Sequence, residues 1–185
     1  MAQNLLLIGT PKGAFILASD AARLDWDLRG PLCEGWPIHD LIVEPRSGAI
    51  LAAGGSPWYG PAVWRSEDLG TSWTHSSAGL TYGDDAEPIT TIWSLAATPD
   101  GGLLAGVEPA GLFRSDDHGE TWKRFDHGVS IDSTLMTISP SHSDPKRIYC
   151  AARRGQVLGT EDGGATWKSY QLPDGAQGIY SLATA

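Results

Sequence analysis

Short apolar runs alternate with clusters of glycine, proline and small polar residues along the whole chain. Ile92-Trp93-Ser94-Leu95-Ala96-Ala97 stops at Thr98-Pro99-Asp100-Gly101-Gly102, and Leu103-Leu104-Ala105-Gly106-Val107 follows at once. Runs of this length, bounded by turn-forming residues, predict strands rather than helices. A third run, Gly111-Leu112-Phe113-Arg114, leads into a polar octapeptide and then a short strand around Trp122-Lys123-Arg124-Phe125. That makes four strands in one unit.

The octapeptide recurs. SEDLGTSW spans Ser66–Trp73, SDDHGETW spans Ser115–Trp122 and TEDGGATW spans Thr160–Trp167. A fourth copy, SDAARLDW at Ser19–Trp26, keeps the first hydroxyl and the last indole but has lost the Asp and Gly. The tryptophans are 47, 49 and 45 residues apart, so four periods account for the 185 residues. Four short strands per repeat at this period predict an all-β fold, a β-propeller of four blades with four antiparallel strands each, rather than a sandwich. The blades are expected at about residues 1–35 plus 178–185, 36–86, 87–130 and 131–177. The segment Gly178-Ile179-Tyr180-Ser181-Leu182-Ala183 repeats the first-strand pattern of Ile92-Trp93-Ser94-Leu95-Ala96, whereas the head begins on a second strand, Leu5-Leu6-Leu7-Ile8-Gly9. Pairing of tail with head is therefore expected to close the ring, hide its edges and make the unit complete.

Composition narrows the partners. With 13 basic and 22 acidic residues the net charge is −9, which argues against nucleic acid, whose phosphates need a basic footprint. Apolar runs are too short to span a bilayer, and the head lacks a basic segment followed by a long apolar one, so a cytoplasmic protein without membrane contact is expected. Cys33 and Cys150 are too few for a disulfide framework; Cys150 is expected in a strand core and Cys33 in a loop as a free thiol.

The octapeptide resembles the Asp-box, or BNR repeat, of sialidase-like β-propellers, with three good copies and one poor one spread over the chain. The resemblance implies that the box lies in the turn between the third and fourth strands, at the outer rim away from the ligand face. Its chemistry fits a structural part. Asp68, Asp117 and Asp162 can accept backbone N–H bonds, Gly70, Gly119 and Gly164 permit positive φ, and Trp73, Trp122 and Trp167, with Trp26, can fill the gap between blades. The alternating oxygen ligands of a calcium loop are absent. Catalytic sialidases of this fold carry a Phe/Tyr-Arg-Ile/Leu-Pro tetrapeptide, three arginines, a Tyr–Glu nucleophile and an Asp acid/base. The tetrapeptide is missing here; Lys146-Arg147-Ile148-Tyr149 departs at both ends.

Ligand chemistry is expected on the opposite face, in the loops joining strands two and three and in the connections between blades. Those loops carry Lys12, an insertion Ser56–Pro61 with Trp58 and Tyr59, Glu108, and Arg153-Arg154; the connections carry Trp36, Asp84, Asp85, Glu87 and His127. Aligning first strands on Pro45, Pro99 and Pro140 places His39, Trp93, Thr134 and Tyr180 at one level around the channel mouth, although Trp93 and Tyr180 can equally fill a narrow core. Aromatic rings beside Arg153, Arg154 and Lys12 suit a ligand that stacks and carries a carboxylate. His39 and Asp40, adjacent on a strand, point to opposite faces and form no dyad. No nucleophile elbow, phosphate loop, dinucleotide fingerprint or zinc helix motif occurs. The expected function is thus a non-catalytic scaffold, without cofactor or metal, that binds a small molecule, carbohydrate or protein. The alternatives are a sialidase-related glycoside hydrolase using carboxylates of the loop face, and a half-ring that dimerises into eight blades.

Overall fold

The computed structural model describes residues 4–184, so positions 1–3 and 185 of the expected first blade lie outside the described residues. The described chain is all-β, with short 3-10 turns at Cys33–Gly35 and Pro173–Gly175 and no helix long and apolar enough to cross a membrane. Unit one comprises β1 (Asn4–Thr10), β2 (Gly13–Ser19) and β3 (Asp27–Leu32). Unit two comprises β4 (Ile38–Val43), β5 (Ile50–Ser56), β6 (Gly60–Ser66) and β7 (Thr74–Ser76). Unit three holds β8 (Thr91–Ala97), β9 (Leu103–Glu108), β10 (Gly111–Ser115) and β11 (Lys123–Arg124); unit four holds β12 (Leu135–Pro140), β13 (Ile148–Ala152), β14 (Gln156–Thr160) and β15 (Lys168–Gln171). Every unit is an antiparallel meander, and a Gly55–Thr91 pair joins units two and three into one eight-stranded sheet.

The first strands line up side by side, β4 against β8 and β8 against β12, and β1 lies against β4. Each of β4, β8 and β12 skips one residue in its pairing, at His39, Trp93 and Met136. Such a bulge leaves the extra residue out of the ladder and sharpens the local twist. Met136, not Thr134, is therefore the structural counterpart of His39 and Trp93. The proline alignment fails because the following turns differ in length: they close from Glu44 to Ala49, Thr98 to Gly102 and Ser141 to Arg147, so Pro140 ends a strand while Pro45 and Pro99 lie in turns.

Three apolar clusters sit at the three junctions between units. Trp73 packs with Ala14, Ile38, Ala52 and Trp64 between units one and two. Trp122, 2% exposed, packs with Leu51 and Val63 of unit two and Leu103, Ala105 and Phe113 of its own unit. Trp167 borders the cluster of Ala96, Leu104 and Leu112 with Ile148 and Leu158 between units three and four. Each indole thus wedges against the preceding unit. Trp26 has no preceding unit and is 37% exposed.

The expected closure by the tail is corrected here. β1, β2 and β3 form a sheet of three strands, and no tail residue pairs with β1. The amides of Gly178 and Ile179 donate instead to the Arg153 carbonyl, the Thr184 amide donates to Ser139 Oγ, and Thr184 Oγ1 donates to the Pro140 carbonyl. The tail lies on unit four, as the first strand of each later unit lies on the unit before it.

Candidate functional site

The octapeptides form the turns between third and fourth strands, and their geometry leaves the aspartates occupied. In the middle copy Asp117 accepts from the Thr121 amide at 2.8 Å, from Thr121 Oγ1 at 2.5 Å and from Ser115 Oγ at 2.7 Å, while Ser115 Oγ takes the Gly119 amide at 2.9 Å. Asp68 and Asp162 repeat the pattern with Ser72 and Thr166. The Ser72 amide and hydroxyl hold Asp68 at about 2, and the Thr166 hydroxyl and amide hold Asp162 at about 2, so both stay charged down to acid pH. Gly70, Gly119 and Gly164 have φ of +87°, +88° and +92°, and a Cβ at Gly164 would stand 2.3 Å from Phe125. Trp73 and Trp122 donate their Nε1–H to the carbonyls of Gly70 and Gly119. These turns are self-contained structure.

Sequence reasoning missed Glu44. Only 1% exposed, it accepts from Arg65 at 2.9 Å and from Ser47, and meets His118 Nδ1 at 2.5 Å across to unit three. Burial raises its pKa, but the hydrogen bonds from Ser47, His118 and Arg65 together outweigh burial and hold it below the usual range. Asp40 also works between units: its Oδ2 accepts the Leu95 amide at 2.7 Å, pinning β4 to β8, and burial raises its pKa. It makes no dyad with His39.

The face opposite the octapeptide turns carries a cleft of about 800 Å³ between units three and four. Glu87 enters from the connection before β8, Glu108 from the end of β9, Asp132, Ser133 and Thr134 from the connection before β12, and Arg153 and Arg154 from the β13–β14 loop. The expected Glu108, Arg153 and Arg154 therefore share one wall-to-wall space, joined by Glu87. Asp132 was not foreseen, although the same topological argument covers its connection.

Charges in the cleft are unevenly satisfied. Glu108 Oε2 accepts the Trp93 indole N–H at 2.7 Å. Asp132 accepts from Ser133 Oγ at 2.8 Å and from Gln171 Nε2 at 3.3 Å. The backbone of Arg153 and Arg154 is fixed by the Thr134 carbonyl and Ser133 Oγ, yet neither guanidinium belongs to any ion pair of the described residues. Behind Glu108, Trp93 stacks on His39 with centroids 4.2 Å apart and planes at 28°. Desolvation lowers the His39 pKa, against smaller opposing pulls from the Gly55 backbone and Glu108, so the imidazole is neutral at pH 7.

Other candidates lie elsewhere. Ser56 pairs with Gly60, so Pro57-Trp58-Tyr59 is a three-residue hairpin loop rather than a long insertion. Tyr59 stacks on Trp36 at 5.0 Å, Trp36 meets Trp64 edge-on at 5.6 Å, and Trp58 is 93% exposed. Tyr180 stands in the tail beside a separate hollow of about 470 Å³ with Ala151, Val157 and Leu172. Lys12, Asp84, Asp85 and His127 are exposed and do not line the cleft. Cys33 is buried between units one and two, and desolvation pushes its thiol up to about 12, which removes it as a reactive group. No group of three or more His, Cys, Asp or Glu among the described residues is placed to hold a metal.

Comparison with known proteins follows the fold. The family model described as Sortilin, neurotensin receptor 3 (Sortilin-Vps10) matches residues 110–184. No curated protein matches the chain. The GH74 xyloglucanase from Xanthomonas campestris is similar at TM-score 0.64 and 21% identity over 95% of this chain, and the Niastella koreensis GH74 enzyme at 0.61 and 16% over 88%. A structure of YCF48 bound to D1 peptide is similar at 0.59 and 15% over 97%. The chain spans 29% and 28% of the two GH74 chains and 60% of the YCF48 chain. The likeness is one of fold, and the chain is an all-β protein of the β-propeller type.

Proposed function

We propose that this chain is a non-catalytic binding scaffold of the Asp-box propeller kind, and that the cleft between units three and four takes a ligand bearing a carboxylate. The Asp-box reading is supported by the repeated Ser/Thr–Asp–Gly–Trp hydrogen bonding at three equivalent turns. The ligand reading is carried by one observation: Arg153 and Arg154 line the cleft without an ion-pair partner, while Glu108 and Asp132 beside them already accept hydrogen bonds. A planar anion suits guanidinium forks, and Trp93 with His39 behind Glu108 gives the same wall an aromatic backing. The likeness to YCF48, whose structure is described as bound to D1 peptide, favours a peptide carboxylate.

Calorimetric titration with short peptides ending in a free carboxylate, and with their C-terminal amides, tests the proposal. The free acids should bind at least about tenfold more tightly than the amides, and Arg153→Ala or Arg154→Ala should each weaken binding by roughly 10–100-fold. Equal binding of acids and amides, or indifference to both substitutions, contradicts it.

A second reading is a glycoside hydrolase, favoured by the gathering of Glu87, Glu108 and Asp132 in one cleft and by the likeness to GH74 enzymes. Turnover of xyloglucan or a sialoside that is abolished by Glu108→Gln or Asp132→Asn would establish it; rates at the uncatalysed background dismiss it.

A further inference from the structure

The junction between successive units occurs three times inside the chain, and each end of the arc presents one unmatched half of it. Counting from the paired first residue of each octapeptide, Leu6 and Ile8 of β1 correspond to Ala105 and Val107 of β9. The latter are fully buried against unit two; Leu6 is 50% and Ile8 40% exposed. Trp26 corresponds likewise to the buried Trp122. At the other end, Val157 of β14 corresponds to Val63 of β6, which packs in the cluster that holds Trp122. Around Val157 the open face of unit four keeps the hollow lined by Ala151, Leu172, Ile179 and Leu182. The tail already lies on that face through Arg153, Ser139 and Pro140, while the outer edge of β1 carries no strand.

We propose that two copies of the chain join head to tail: residues 179–184 of one copy pair with β1 of the other as β8 pairs with β9, and Trp26 of the second copy enters the hollow beside Val157. A second copy is the occupant because the two open faces reproduce the two sides of a contact this sequence already makes three times with itself. Such a contact is heterologous, so it uses one patch from each end rather than the same patch twice. The inference is independent of the ligand reading, since neither face includes Arg153 or Arg154 side chains.

Light scattering of the full chain over a concentration series tests it. Species at twice the 19.7 kDa chain mass are expected, or longer head-to-tail assemblies if the ring does not close. Leu6→Lys with Ile8→Lys, and separately Ile179→Asp with Leu182→Asp, should each weaken association by about thirtyfold or more. Because these side chains face outward, near-ultraviolet dichroism of the tryptophans should show both variants folded. An equimolar mixture of the two variants keeps one intact contact and should regain a heterodimer. A monomer up to roughly 100 μM, association that survives in either variant, or a mixture that stays monomeric overturns the proposal.

Discussion

At the scale of single residues, burial separates side chains that the sequence makes look alike. Trp122 and Trp26 occupy the same place in their repeats, but only Trp122 is enclosed between two units. Trp122→Ala should cost about 3–5 kcal/mol and Trp26→Ala under about 1 kcal/mol, measured by urea unfolding of dilute protein. Asp117→Ala should cost about 1–2 kcal/mol through its lost hydrogen bonds. Asp68 and Asp162 set an acid limit. Their folded pKa values, about 2, lie below the ordinary 3.8, so their contribution is present above about pH 4 and is lost as pH falls toward 2. Thermal unfolding across this window should show that fall, and it should be shallower in the Asp68→Asn, Asp162→Asn double variant.

At the scale of elements, polar groups as well as indoles tie the units together. Glu44 leaves the β4–β5 turn of unit two and meets Arg65 of its own unit and His118 of the next unit's octapeptide turn. Glu44→Ala strands a largely buried guanidinium and should cost about 3–5 kcal/mol, with Arg65→Ala adding little more in the double variant. The strands and the octapeptide turns were legible in sequence because their signals are local: a hydroxyl, a carboxylate, a glycine and an indole at fixed spacing make their bonds within five residues of one another. Glu44, Asp40 and Asp132 were not, because their partners are set by which strands pack together. The level of Thr134 was misjudged for a related reason, since Pro140 resembles Pro45 and Pro99 in sequence but precedes a longer turn. The tail shows the same limit: its pattern marks it as a first strand and is silent on which unit receives it.

At the scale of the molecule, four similar units place the octapeptide turns on one face and a cleft with two unpaired guanidinium groups on the other, in a chain of net charge −9. Local arrangement therefore has to supply the attraction for an anion that the overall charge repels, and raising salt should weaken carboxylate binding only modestly. The eight indoles offer a direct reading of where a ligand goes. Trp93 donates to Glu108 on the cleft wall, whereas Trp58 stands exposed on the β5–β6 loop. The decisive measurement is a ¹H–¹⁵N titration with a peptide ending in a free carboxylate, following the indole and arginine Nε signals together. Saturable shifts of Arg153, Arg154 and Trp93 with Trp58 unmoved are predicted; shifts centred on Trp58 that leave both arginines unchanged would contradict the placement of the site.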